Sequence, residues 1–196
     1  MTNKKLIGIT GGIGAGKTIV CSIIHAMGYP VFSSDKESKI ILNTDPEVIK
    51  AITALFGNKA YTNGSLNRPY IAEKVFNDRQ LLEQINAIAH PAVRKAFDQW
   101  ASKQPTSIVF NEAAIIFETG GYKQFDANVL VTAPQATRLA RVMTRDGISA
   151  EAVQQRMSKQ WTDEEKRKLA DFEIVNDGKM MLIPQVLQLI KDIKNA

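Results

Sequence analysis

A glycine-rich segment near the start of the chain ends in a lysine and a threonine. Residues 11–18, Gly-Gly-Ile-Gly-Ala-Gly-Lys-Thr, match the phosphate-loop pattern G-x-x-x-x-G-K-S/T. Glycines let successive backbone N–H groups turn toward one anion, and the dipole of a following helix adds positive charge. We expect this loop to bind a nucleoside triphosphate, with Lys17 on the β- and γ-phosphates and the Thr18 hydroxyl on Mg²⁺. The residues assigned to the phosphates are Gly12, Gly14, Ala15, Gly16, Lys17, Thr18 and Ile19.

The segments that flank the loop have the composition that its geometry requires. Residues 6–10 form an apolar run of strand length, and residues 18–24 are apolar enough to begin a buried helix. A strand, a glycine-rich turn and a helix N-terminus are the context that supports a phosphate loop. Cys21 falls on the apolar face of this helix, so packing explains it better than chemistry. Because it is the single cysteine, no intramolecular disulfide is possible, which suits a reducing cytoplasm.

The composition excludes a disordered or membrane-spanning chain. Of the 196 residues, 44% are hydrophobic and 23% charged, and no stretch approaches ~18 consecutive apolar residues. The first five residues lead directly into the first predicted strand, so we expect no signal peptide and a cytoplasmic location. The net charge of +5 suits a phosphate-rich small substrate. Because no nucleic-acid-binding motif accompanies that charge, we expect neither a nucleic-acid nor a membrane partner.

Short apolar runs alternate with longer helical patterns, which is typical of a parallel sheet with crossover helices. The predicted strands are 6–10, 29–33, 107–111, 128–132 and 172–175. The pattern predicts an α/β fold, a three-layer α/β/α P-loop NTPase with a five-stranded parallel sheet. The chain is then one domain, and its core is assigned to residues 1–33, 104–132 and 171–196.

A long insertion separates the second and third strands. Residues 34–103 are far more than one crossover helix needs, so we expect a helical substrate lobe there. Its helical periodicity covers residues 46–56, 69–76 and 81–100, and Thr62-Asn63-Gly64-Ser65 predicts a turn.

A second insertion, residues 133–170, is strongly cationic. Arg138, Arg141 and Arg145 are spaced i, i+3 and i+7, which places them on one face of a helix. In a P-loop protein this pattern predicts a helical lid that closes on phosphates and excludes water. Arg141 is the first candidate for an arginine that stabilises the transition state, ahead of Arg138 and Arg145.

The loop alone leaves ATPases, GTPases and kinases open. Asn176-Asp177-Gly178-Lys179 does not supply the Asn/Thr-Lys-x-Asp signature expected of a guanine-specific protein. A compact ATP-using enzyme with two inserted segments has the plan of a small-molecule kinase. Two alternatives remain at this point, a nucleoside or nucleotide kinase and a nucleotide-dependent RNA-associated ATPase, which the basic charge suggests.

Nearly the whole chain resembles the dephospho-CoA kinase family. The Thr-Gly-Gly-Ile-Gly form of the loop within residues 9–18 is habitual in that family. Further pieces that follow in the family's order are Asp35, Leu66-Asn67-Arg68, Val75-Phe76, His90 to Val93, Ile115 to Gly120, Arg145 to Gly147, Arg156 to Gln160 and Ala170 to Asn176. Each piece alone is common, whereas their joint order and spacing are specific.

The resemblance implies ATP-dependent phosphorylation of the ribose 3′-hydroxyl of dephospho-coenzyme A, which gives coenzyme A and ADP. It also implies a core, a helical substrate lobe and a lid. The chain departs from the family in two places. Ser33-Ser34-Asp35 keeps only the second of two aspartates often found there, which removes a paired carboxylate. Residues 114–118 read Ala-Ile-Ile-Phe-Glu where Pro-Leu-Leu-Phe-Glu is common, a change of the kind that alters packing.

Three acidic residues are candidates for the chemistry. Asp35 is the candidate base for the acceptor hydroxyl, because the carboxyl end of a parallel strand next to the loop strand faces the same crevice. Its alternative is to cap a helix that begins at Lys36. Glu112 is expected to hold the water shell of the metal, with a solvated strand end as the alternative. Glu118 is the other possible functional acid, near the substrate, or a cap for Thr119-Gly120.

Three further residues are assigned to the two substrates. Arg68 is expected to pair with the diphosphate of the acceptor. His90, before Pro91, either contacts the acceptor or holds a helix junction. Asn176 is expected beside the adenine of ATP, with a simple turn over residues 176–178 as the alternative.

Overall fold

The computed structural model describes residues 4–76 and 78–195 as two compact units. The core unit runs to Phe32 and resumes at Gln104, and the inserted unit comprises Ser33–Lys103. The expectation that no leader precedes the first strand involves residues 1–3, which lie outside the described residues.

A five-stranded parallel sheet forms the centre of the core unit, in the order β2-β5-β1-β6-β7. The strands are β1 Lys5–Thr10, β2 Val31–Ser33, β3 Tyr61–Thr62, β4 Ser65–Leu66, β5 Ile108–Glu112, β6 Ala127–Thr132 and β7 Phe172–Val175. The central strand β1 pairs in parallel with β5 on one side and β6 on the other, with Ile9 opposite both Glu112 and Val129. The predicted α/β fold with five parallel strands is confirmed.

Two predictions about β2 were wrong. The strand begins at Val31 and not at Tyr29, because the Tyr29 N–H is held by the Ile24 carbonyl at the end of the preceding helix (3.2 Å). β2 is also an edge strand and does not adjoin the loop strand, because β5 lies between β2 and β1. Contrary to the prediction, Asp35 therefore does not follow a neighbour of the loop strand, although it does follow the end of a strand in the same sheet.

Helices cover both units. They are α1 Lys17–Ala26, α2 Ser34–Thr44, α3 Pro46–Phe56, α4 Arg68–Phe76, α5 Arg79–Ser102, α6 Gln135–Asp146, α7 Ala150–Met157, α8 Asp163–Arg167 and α9 Leu182–Asn195. Short 3-10 helices occupy Asn58–Ala60 and Gly121–Gln124. The cationic insertion, residues 133–170, contains the three helices α6, α7 and α8.

The core of the core unit is built from strand residues and the apolar sides of α1 and α9. Its fully buried residues include Ile9, Val20 and Ile24, and α9 contributes Val186 and Ile193. The strands contribute mainly β-branched residues such as Ile7, Val129 and Ile174, which pack well on a pleated surface. This packing fixes α1, and therefore the loop that leads into it.

The inserted unit has a separate apolar core. It is lined by Val48, Ile52 and Phe56 of α3, together with Ile71 of α4. The predicted turn at residues 62–65 is confirmed as a hairpin between β3 and β4, in which Asn63 and Gly64 have φ of 51° and 76°. Two successive residues with positive φ are what a type I′ turn requires.

Candidate active site

The phosphate loop connects β1 to α1, as its sequence predicts. Gly16 is the N-cap of α1 and has φ of 93°, a left-handed conformation that favours glycine. Within the described residues, the N–H groups of Gly14, Gly16 and Thr18 donate to no protein acceptor. The N–H groups of Ala15 and Ile19 are engaged inside the loop, by the carbonyls of Gly12 and Gly16. The assignment of Gly12 to Ile19 to the phosphates stays a prediction.

Lys17 lies across the loop and faces an acidic residue of β5. Its Nζ donates to the Gly11 carbonyl (3.1 Å) and lies 3.8 Å from Oε1 of Glu112. Both side chains are largely buried, so their attraction is screened less than that of a surface pair. Burial, with Glu112 nearby, raises the pKa of the Cys21 thiol to about 12, against a smaller opposite effect of Lys17. Cys21 is therefore a packing residue, as predicted.

Asn176 and Arg141 hold the other side of the loop. The Asn176 amide donates from Nδ2 to the Ala15 carbonyl (2.8 Å) and lies so close to Gly16 that any Cβ there would collide with it. Arg141 donates from Nη1 to the Asn176 carbonyl (3.1 Å) and approaches the Gly14 carbonyl (3.5 Å). These residues line a cavity of about 380 Å³ together with Lys17, Thr18, Ile19, Val142 and Arg145.

The three arginines of α6 lie in different environments, although their spacing predicts a shared role. Arg138 is buried, and its Nη1 is 3.0 Å from both carboxylate oxygens of Asp163. Its Nε donates to the Ile13 carbonyl (3.1 Å). Arg145 is exposed and pairs with the adjacent Asp146 at 2.7 Å. Only Arg141 combines a contact with the loop carbonyls and a place in the loop cavity.

Glu118 is committed to a partner that the sequence did not indicate. Its Oε1 lies 2.9 Å from Nζ of Lys166, a fully buried residue of α8, and accepts from the Trp161 N–H (3.2 Å). It does not cap Thr119-Gly120, whose N–H groups donate to the Ile115 and Phe117 carbonyls.

Asp35, Arg68 and His90 belong to the inserted unit. Asp35 is exposed in the first turn of α2, which begins at Ser34, so the alternative that it caps a helix starting at Lys36 is wrong. Arg68 is exposed at the first residue of α4. His90 lies inside α5, so the alternative that it holds a helix junction is wrong, and partial burial lowers the pKa of its imidazole below the ordinary value.

Sequence reasoning assigned no role to Gln160, Asp163 or Lys166. A signal existed for Asp163, because Thr162 and Glu165 form a capping box that fixes the start of α8 and so places Asp163 in its first turn. Gln160 accepts from the Ile13 N–H (2.8 Å), a contact between residues 147 positions apart. No local pattern predicts such a contact or the burial of a lysine.

The arrangement of strand, glycine-rich loop, lysine and carboxylate is typical of a nucleoside triphosphate site, and comparison with known proteins identifies the family. The family model for dephospho-CoA kinase matches residues 5–181. The chain belongs to the dephospho-CoA kinase family. A dephospho-CoA kinase of Bacteroides fragilis is 43% identical over 185 residues, 94% of this chain and 90% of that protein. One from Porphyromonas gingivalis is 40% identical, over 96% of this chain and 94% of that one.

Solved structures agree with the family assignment. A Thermus thermophilus protein superposes with a TM-score of 0.88 and 32% identity, over 97% of this chain and 98% of that one. Dephospho-CoA kinase from Campylobacter jejuni gives 0.69 and 27% identity, over 98% of both chains. Shikimate kinase from Acinetobacter baumannii, at 0.57 and 16%, shares the fold. The family implies ATP as the co-substrate and a small-molecule acceptor. Among the described residues, none of the helices is long and apolar enough to cross a membrane.

Proposed function

We propose that this dephospho-CoA kinase family member transfers the γ-phosphoryl group of ATP to the ribose 3′-hydroxyl of dephospho-CoA, and so produces coenzyme A and ADP. The observation that carries this proposal is the loop itself. Its open N–H groups at Gly14, Gly16 and Thr18 meet the α1 N-terminus, and Lys17 stands beside them. Phosphoryl transfer needs positioning and charge neutralisation more than covalent chemistry, and this group of donors supplies both.

Lys17 serves as the movable charge of the site. Its contacts in the structure include a loop carbonyl and Glu112, which it can exchange for phosphate oxygens without leaving the pocket. Developing charge on the transferred group is then stabilised by a donor that is already in place.

Magnesium fits the donor set of this loop. Thr18 is an exposed residue at the start of α1, and Glu112 has its carboxylate beside Lys17. No group of three or more His, Cys, Asp or Glu side chains that could hold a metal ion occurs among residues 4–76 and 78–195. Mg²⁺ usually binds to one or two protein oxygens, with phosphates and water completing its shell. We assign Thr18 as the ligand and Glu112 as the residue that orients its water; bound there, the ion would neutralise phosphate charge.

Asp35 is the proposed base for the acceptor. An exposed carboxylate after a strand end is accessible to a sugar hydroxyl, can orient it and can accept its proton during transfer. Arg141 is proposed to stabilise the charge on the transferred phosphoryl group, because it lines the loop cavity with Lys17. Arg68 and His90 are proposed acceptor contacts, and Asn176 is proposed beside the adenine.

A coupled ADP-release assay tests the proposal. Purified protein with ATP, Mg²⁺ and dephospho-CoA should release ADP well above the rate with ATP alone, and product analysis should place the new phosphate on the 3′-oxygen. Nucleosides, nucleoside monophosphates and RNA serve as control acceptors or activators. Folded protein that turns over one of these but not dephospho-CoA would overturn the proposal.

A further inference from the structure

One residue of the phosphate loop, Ile13, is held at both its backbone N–H and its backbone carbonyl by the segment beyond β6. Gln160 accepts from the Ile13 N–H at 2.8 Å, and Arg138 donates to the Ile13 carbonyl at 3.1 Å. Asp163 in turn fixes the guanidinium of Arg138 through two oxygens at 3.0 Å. Gln160 and Asp163 therefore set the orientation of Ile13, at the middle of the loop, without being part of it.

The short stretch that carries Gln160 and Asp163 is anchored at a buried point. Glu118, in the turn after β5, accepts from the Trp161 N–H at 3.2 Å and lies 2.9 Å from Nζ of Lys166. The two anchored residues lie on either side of Asp163 in sequence. Glu118 thus connects the turn after β5 to residues 160–166, and Gln160 in that stretch contacts the phosphate loop after β1.

The anchor is an incompletely satisfied ion pair. Lys166 is fully buried, and its Nζ has no hydrogen bond of good geometry to any described residue. The second oxygen of Glu118, Oε2, is also buried and has no partner among them. A buried pair of this kind adds little net stability, because desolvation of the two charges offsets their attraction. The pair does fix the position of α8, because a buried ammonium must stay beside the one carboxylate that balances its charge.

We propose that Lys166 is a positioning residue for nucleotide binding: through Glu118 it fixes residues 160–166, and through Gln160 and Asp163 these fix the backbone N–H and carbonyl of Ile13 in the phosphate loop. Loss of the anchor releases the stretch that restrains Ile13, and the loop then spends less time in the geometry that binds phosphate. The inference rests on ATP being the nucleotide of the proposed function.

The test compares Lys166→Met, which removes the charge and keeps an unbranched side chain, with the double variant Glu118→Gln/Lys166→Met. The double variant also removes the Glu118 carboxylate that Lys166→Met leaves buried without a counter-charge, but it still lacks the anchor. In both, we expect calorimetric Mg-ATP affinity to fall about fivefold to tenfold, with the KM for dephospho-CoA within about twofold. Thermal stability should fall in the single variant and recover in the double variant.

Two further variants separate positioning from general stability. Ile52→Ala opens a cavity in the separate apolar core of the inserted unit, and should lower the melting temperature with unchanged Mg-ATP affinity. Gln160→Ala releases the Ile13 N–H directly and should weaken Mg-ATP binding by a similar factor. This variant tests the inference even if Lys166→Met does not fold. Unchanged affinity in Gln160→Ala, or affinity that recovers with stability in the double variant, would overturn the inference. Wild-type protein that binds Mg-ATP but does not phosphorylate dephospho-CoA would overturn only the proposed function.

Discussion

The phosphate loop and the proposed acceptor residues of the inserted unit differ in how many contacts hold them in place. Around the loop, Lys17, Arg138, Arg141 and Asn176 all have specific partners within the core unit. Asp35 and Arg68 in the inserted unit are exposed at the beginnings of helices. The residues proposed to bind the nucleotide are therefore positioned by contacts within the core unit itself.

This contrast teaches where binding energy must be used. A loop whose donors are already oriented loses little conformational entropy when phosphate binds. An exposed side chain without restraining contacts must be ordered by the acceptor itself, which reduces the affinity but makes the final geometry depend on the right acceptor. Variants of the loop should accordingly slow the reaction with any acceptor. Variants of the proposed acceptor residues should change the binding or reaction of dephospho-CoA and leave ATP binding unchanged.

The largest effect is expected from Lys17→Ala. The variant loses the charge that would bridge the β- and γ-phosphates, so kcat should fall by about 10³-fold or more. Steady-state kinetics give the rate, and circular dichroism checks the fold. Lys50→Ala, at an exposed lysine of α3, is the matched control and should retain full activity. A kcat within tenfold of wild type would remove Lys17 from the chemistry.

Asp35→Asn is next. If Asp35 accepts the hydroxyl proton, kcat should fall by about 10²- to 10⁴-fold while the melting temperature stays unchanged, because the residue is exposed. Asp98→Asn, an exposed carboxylate of α5, controls for the change of charge. Near-normal rates in Asp35→Asn would show that the base lies elsewhere and would weaken the contrast between the two units.

Arg141→Ala should lower kcat by about 10²-fold and change the KM for ATP much less. The physical reason is that a donor aimed at developing charge acts more strongly in the transition state than in the bound state. Arg156→Gln removes an arginine of α7 that does not line the loop cavity and is the control. A loss confined to ATP binding would make Arg141 a positioning residue of the loop.

Arg68→Gln should act on the acceptor alone. Removal of a charged hydrogen bond to its diphosphate should raise the KM for dephospho-CoA by about tenfold, with the KM for ATP unchanged. The measurement is a two-substrate kinetic matrix, with Arg79→Gln, an exposed arginine at the start of α5, as the control. Equal changes in both KM values would mean that the acceptor residues are not independent of the loop.

The smallest effect is expected at Cys21. With a pKa of about 12, the thiol is ionised to only about 10⁻⁴ at pH 8, so iodoacetamide should leave the folded protein unmodified and active. Mass spectrometry of native and denatured samples checks this. Rapid alkylation of the native protein would indicate that the loop helix opens far more readily than its packing suggests.

The parts of the molecule that the sequence predicts are those determined by local rules. Helix α3 was predicted to the residue, because Asp45 caps it, Pro46 opens it and Gly57 ends it with φ of 77°. The loop was predicted by its motif. The strand next to β2 was predicted wrongly, because strand order depends on which pairs of strands bury the most surface, and no short segment carries that information.

The same limit applies within the site. Arg138, Arg141 and Arg145 have similar sequence surroundings, and only tertiary contacts with Asp163, Asn176 and Asp146 distinguish them. Lys166 would be assigned to the surface by its residue type, since lysine is rarely fully buried. Its burial follows from the position of Glu118, 48 residues earlier in the chain.

The hydrogen of Gly12 has a consequence outside phosphate recognition. A methyl group in its place would collide with the guanidinium of Arg138, which Asp163 prevents from moving aside. The Arg138 side chain therefore packs directly against Gly12. A substitution of Gly12 would first disturb the contact between Arg138 of α6 and Asp163 of α8. Substitutions that restore function to a Gly12 variant are therefore expected in α6 and α8.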